Sequence, residues 1–154
     1  MSSAAMALTR TPDDTVKILH FPADRIDDVW PLIVPFLTRI PEMGTRYPVD
    51  RVREWIRAGD MQAWAILDTE TNDLLAAFVT EAHDYGECRV LRIPYIGGEQ
   101  MERWIGRLPE FEDAMRREGF DQIEIQGRPG WERATGYRPR FVTFVKDLNE
   151  VSDG

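Results

Sequence analysis

Cysteine is almost absent from the 154 residues: Cys88 stands alone, which rules out an intrachain disulfide and a cysteine-based zinc cluster. It lies in the strand-like run 87-ECRVLRI-93, where a buried inert thiol is the simplest reading. Histidine is nearly as scarce. His20 has no second histidine at close spacing and His83 is far away in sequence; two distant histidines can converge in space, but no metal site is expected. No unbroken apolar stretch is long enough to span a bilayer, and 1-MSSAAMALTR-10 lacks the basic start of a secretory leader, so a cytoplasmic protein is expected. No fixed-period repeat occurs. Positive charge is also in deficit. Lys and Arg number 19 against 27 Asp and Glu, and the net charge of −8 favours solubility and disfavours the nucleic-acid backbone as a partner.

What is present suits one domain. Apolar residues make up 43% of the chain, enough for a substantial core over residues 15–148, with a flexible leader at 1–14 and a flexible tail at 149–154. Alternation over 15-TVKILHF-21 predicts a strand. Helical spacing from Ile26 to Ile40, after a capping Asp24, predicts a helix bent or restarted at Pro31 and Pro35. A linker at 41–47 leads to a second helix over 48–60, with Pro48 in its first turn and Gly59 at its end. Three adjacent strands follow at 61–67, 74–82 and 87–96, the last expected to end, bulge or become an edge at Pro94. A long helical stretch from Met101 to Phe120 is expected to break near Pro109. Next come a strand at 121–126, a short helix at 130–134 and a final strand at 141–148.

Two segments carry chemical interest. Gly97 and Gly98 stand where strand gives way to helix, either as a plain tight turn or as a phosphate seat that uses the helix's unpaired N–H groups. Residues 126–146 collect Arg128, Arg133, Arg138, Arg140 and Lys146 against Glu132 alone. That cluster reads as a solvated rim or as a contact for a phosphate-bearing ligand.

The fold class is therefore α+β, in the order β-α-α-β-β-β-α-β-α-β. This order over about residues 15–148 resembles the GNAT acetyltransferase superfamily, whose mixed central sheet is flanked by helices. The resemblance implies transfer of an acetyl group from acetyl-CoA to an amine, without a metal. Segment 97-GGEQME-102 takes the position of the family's pyrophosphate loop, so Ile96, Gly97 and Gly98, with Arg128 and Arg133, are the implied cofactor contacts. It departs from that loop's pattern in lacking the leading Arg or Gln and in carrying Glu99. In 130-GWERATGY-137, Trp131 lies near the family's usual acid and Tyr137 is the candidate acid for the thiolate. Glu81, Glu124 or a water held by either is the candidate base. The strings 26-IDDVWPLIVPFLTR-39, 58-AGDMQAWAI-66, 97-GGEQMERW-104 and 127-GRPGWERATGYRP-139 are similar to a branch encoded by tailed phages, prophages and gene-transfer elements. Two readings stand at this point: an N-acyltransferase acting on an amine, and a non-catalytic accessory, virion or assembly factor that contacts a phage structural or packaging protein. Association between copies is compatible with both.

Overall fold

The computed structural model describes residues 13–38, 46–126, 130–140 and 144–148. Strand β1 (Val16–Phe21) leads through a 3-10 turn (Ala23–Arg25) into helix α1 (Ile26–Leu37), followed by α2 (Val49–Ala58) and strands β2 (Gln62–Asp68), β3 (Leu74–Asp84) and β4 (Arg89–Gly98). Helix α3 (Met101–Trp104), a 3-10 turn (Ile105–Arg107) and α4 (Leu108–Arg117) precede β5 (Gln122–Ile125) and α5 (Gly130–Thr135). The five strands form one sheet in the order β1-β2-β3-β4-β5. All neighbours are antiparallel except β4 and β5, whose parallel pairing is permitted by the helical crossover between them.

Each face of the sheet has its own core. On one, Ile26, Trp30, Ile33 and Leu37 of α1 and Val52 and Ile56 of α2 pack on Ala63, Ala77, Val79 and Tyr95. On the other, Trp104, Phe111 and Met115 pack on Val16, Ile66, Phe78, Leu91 and Ile93. The alanines of β2 and β3 leave room for the bulky helical side chains above them.

Helix α1 runs without interruption through Pro31 and Pro35. Both prolines lie on its exposed side, where carbonyls freed by the missing donors meet water. Asp24 falls in the 3-10 turn, and no side chain caps α1. The expected break near Pro109 is the 3-10 turn at Ile105–Arg107, and Pro109 sits in the first turn of α4, where its missing N–H removes no helical bond. Cys88 precedes β4 and is half-buried rather than buried. Residues 144–147 of the expected last strand lie outside the sheet, with Phe144 92% exposed, and residues 141–143 lie outside the described residues.

The decisive irregularity is in β4. Val79 pairs with Tyr95 and Glu81 with Arg92, so the single residue Thr80 faces both Ile93 and Pro94. This bulge reverses the alternation of side chains. Leu91 and Ile93 point into the α4-side core, whereas Tyr95 points into the α1–α2 core. Strand β5 pairs with β4 no further than Ile93, and Gln126 N donates to Ile93 O at 3.3 Å. From Pro94 to Gly98, β4 has no partner on that side among the described residues.

The chain before β1 is tied to the crossover by Arg103. Its guanidinium donates to Asp13 at 3.1 Å, Asp68 at 2.9 Å and the Thr15 hydroxyl at 3.0 Å, while Arg107 donates to the Asp13 carbonyl at 2.8 Å. Hydrogen bonds from the Thr15 hydroxyl and N–H, and then from Arg103, lower the Asp13 carboxyl to about 2. Arg103→Met should therefore lower the melting temperature at neutral pH. Because the folded-state pKa is depressed, this stabilisation is complete above the usual value of 3.8 and is lost as pH falls toward about 2, so the gap to the wild type should close over that window in thermal melts.

Candidate functional site

The bulge and the end of the β4–β5 ladder leave a polar row on the α1–α2 side. Glu81 of β3, Arg92 of β4 and Glu124 of β5 are direct cross-strand neighbours. Arg92 Nε donates to Glu124 Oε1 at 3.0 Å, and its Nη1 lies 3.7 Å from Glu81 Oε1. Tyr47, just before α2, donates its hydroxyl to Glu81 Oε1 at 2.7 Å. Its ring stands edge-on to Trp55 at 6.2 Å and to Tyr95 at 6.0 Å, which fixes the hydroxyl over the row. His83 follows Glu81 on the same face of β3, with Nε2 3.0 Å from Glu81 Oε1 but off the line of a hydrogen bond.

Arg92 keeps its charge between the two carboxylates. Burial opposes the charge on Arg92, but Glu124 and Tyr47 outweigh it and raise its pKa. Burial, reinforced by the bond to Glu81, raises the Tyr47 phenol, and burial pushes Tyr95 up to about 12. Glu81 retains 16% of its side-chain exposure and Glu124 36%, so a solute can approach the row from outside.

The opposite face holds an apolar slot behind the unpaired part of β4. Ile18, Phe78, Ile93, Ile96, Ile125 and Trp131 are among its lining residues, and the residual cavity is about 10 Å³. Trp131 of α5 lies 6.4 Å from Trp104 and forms part of the slot's lining.

The sequence candidates are distributed as follows. Glu81 and Glu124 converge on Arg92. Ile96 lines the slot. Gly97 and Gly98 lie within β4, paired with Ala77 and Ala76, and the turn itself falls at Glu99 and Gln100, the latter at φ 54°. A Cβ on Gly98 would stand 2.3 Å from Ala76 Cβ and 2.6 Å from the Leu75 carbonyl, so close strand contact is what requires this glycine. Helix α3, which follows, is four residues long, and the exposed Glu99 at its entry donates its N–H to Leu75 O at 2.8 Å. Tyr137 lies on the slot side, in a cavity of about 200 Å³ with Phe120 and Ile123. Its hydroxyl donates to Glu112 at 2.7 Å, and burial, reinforced by Glu112, raises the phenol far above its usual range. Arg133 is exposed on α5, and Arg128 lies outside the described residues.

Sequence reasoning missed Tyr47, His83 and Arg92. The alternation that puts His83 beside Glu81 was a usable signal, whereas the register that brings Arg92 between two carboxylates was not visible. Among the described residues, no group of three or more histidine, cysteine or acidic side chains is placed to hold a metal, and no helix is long and apolar enough to cross a membrane.

No family model matches the sequence, and no curated protein matches it. Solved structures do. An aminoglycoside acetyltransferase from an uncultured soil metagenomic sample is 13% identical with a TM-score of 0.64, over 89% of this chain and 99% of that one. Glucosamine-6-phosphate N-acetyltransferase from Arabidopsis thaliana is 15% identical, with a TM-score of 0.58 over 88% and 100%. A GNAT family acetyltransferase from Staphylococcus aureus is 14% identical, with a TM-score of 0.59 over 87% and 99%. The chain therefore has the fold of GNAT acetyltransferases.

Gly98→Ala is expected to destabilise the chain by about 1–3 kcal/mol through overpacking, read as a lower urea midpoint with an unchanged m-value. Adding Ala76→Gly should recover only part of the loss, because the Leu75 carbonyl at 2.6 Å is backbone.

Proposed function

We propose that the chain transfers an acetyl group from acetyl-CoA to a primary amine. The observation that carries this reading is the Glu81–Arg92–Glu124 row beside the opening where β5 leaves β4. Beyond Ile93, among the described residues, no β4–β5 ladder separates the two faces of the sheet, so an amine held on the row and a donor entering from the slot side can meet.

When bound, acetyl-CoA supplies the activated acyl carbonyl. The chain fits the acyl end of that donor. Ile96, Gly97 and Gly98 belong to the unpaired edge of β4, whose backbone groups can bond the amides of the donor's arm, and the slot behind them is entirely apolar. The phosphate end is met differently from the usual pattern, because Gly98 is committed to strand packing and α3 is too short to offer a helix N-terminus. Positive charge for the phosphates is assigned to the exposed Arg133 of α5 and, from the sequence alone, to Arg128. Glu81 and Glu124 position the amine by charge-assisted hydrogen bonds, and proton removal falls to the same row. Tyr137 would reach a departing sulfur only by giving up Glu112, so that proton is assigned to solvent.

One observation favours a second reading, that of a non-catalytic phage accessory factor bound to a structural or packaging protein: Trp131 leaves about 10 Å³ in the slot. Titration calorimetry separates the two. The transfer reading expects acetyl-CoA to bind the wild type at micromolar concentration, and Trp131→Ala to bind it more tightly because the indole no longer competes for the slot. No heat at high micromolar ligand from either protein overturns transfer. Binding by Trp131→Ala alone identifies a closed slot and supports the accessory reading.

A further inference from the structure

Within the polar row, one titratable group has no assigned part. His83 Nε2 has no contact with water and no hydrogen-bond partner, although Glu81 Oε1 is 3.0 Å away. The His83 side chain as a whole is 34% exposed, so its solvent surface lies on atoms other than Nε2. A small rotation of the imidazole would point an Nε2–H at Glu81, the acceptor within reach. The hydrogen-bonding surroundings thus assign the proton to Nε2 and leave Nδ1 as the basic nitrogen.

We propose that His83, oriented by Glu81, takes the proton from the acceptor amine. This inference rests on the transfer reading and names the base within it. Both carboxylates of the row are already engaged. Glu81 Oε1 accepts the Tyr47 hydroxyl and faces Arg92, and Glu124 is paired with Arg92 at 3.0 Å. Imidazole is the side chain that ordinarily exchanges a proton near neutral pH. The step balances by itself: an ammonium and a neutral imidazole become a free amine, whose lone pair can attack a carbonyl, and an imidazolium beside the Glu81 carboxylate. The charged or titratable groups around the ring are Glu81 on β3, Tyr85 stacked at 6.2 Å, Arg92 on β4, and, through these, Tyr47 and Glu124.

Nitrogen-15 NMR of the imidazoles, read alongside acetyl-transfer rates, tests the assignment. The wild type should show His83 as the Nε2–H tautomer. Transfer from acetyl-CoA would be assayed on sisomicin, spermidine and glucosamine 6-phosphate as amine probes. His83→Ala should lower kcat by about 100-fold with little change in the KM for the amine, remove the acidic limb of the pH profile, and recover part of its rate in added imidazole. Circular dichroism checks that the variant is folded, and His83→Gln, which also lacks the base, should show the same loss. An Nδ1–H tautomer, or transfer by His83→Ala with an unchanged pH profile, overturns the role of His83 alone. Transfer to none of the three amines overturns the underlying reading, and this one with it.

Discussion

Two residues of β4 are accommodated opposite one residue of β3, and the geometry of the candidate site depends on it. Pro94 has no N–H to contribute to a ladder, so β4 bulges at Ile93–Pro94 against Thr80. The bulge sends Ile93 and Tyr95 to opposite cores and coincides with the last residue that β5 pairs. Thr80, buried at that point, accepts a hydrogen bond from Trp64 Nε1 at 2.9 Å and donates to Gln62 at 3.0 Å, so the irregularity leaves no orphaned hydroxyl.

Much of the fold was legible because its period is simple. The stripe of Ile26, Trp30, Ile33 and Leu37 and the alternation over 15–21 mark α1 and β1 directly, the apolar runs at 61–67 and 74–82 mark β2 and β3, and proline chemistry pointed to an irregularity at Pro94 and a break before α4. The uninterrupted α1 was not legible. Whether a proline kinks a helix depends on which side faces water, and that is settled by the sheet beneath it. The Gly97–Gly98 pair was misplaced for a related reason. A glycine needed for close strand contact and a glycine needed in a turn look the same in sequence, and the proximity of Ala76 is a fact of register. The site was half legible for the same reason: Glu81 and Glu124 stand out as carboxylates on strands, while the arginine that joins them is supplied by cross-strand pairing.

The site's two sides are built to different standards. On the α1–α2 side, Tyr95 and the row of alternating charge are carried by strands, so their geometry is inherited from backbone pairing, while Tyr47 and Trp55 close over them from just before α2 and from within it. On the slot side, Trp131 sits on a helix of six residues, and its contacts to Trp104 and the slot are what anchor it. Burial of an indole stabilises strongly, yet a short helix restrains it weakly. If anything at this site moves to admit a ligand, the energetics favour Trp131 over the row.

An acidic surface has a further consequence for an amine-directed site. With a net charge of −8, the field of the protein concentrates protonated amines, and the two carboxylates of the row can hold an ammonium by charge and hydrogen bonding. An ammonium is also the wrong species for attack on a carbonyl, because its lone pair carries a proton. The features that bind the substrate well therefore stabilise its unreactive form, and transfer at such a site requires a neutral acceptor within reach of the bound nitrogen. A carboxylate already paired with arginine meets that requirement poorly, whereas an imidazole backed by a carboxylate meets it without adding another fixed negative charge. This conflict between binding and reactivity, more than the proximity of any one pair of atoms, is what the role proposed for the histidine at the edge of the row would resolve.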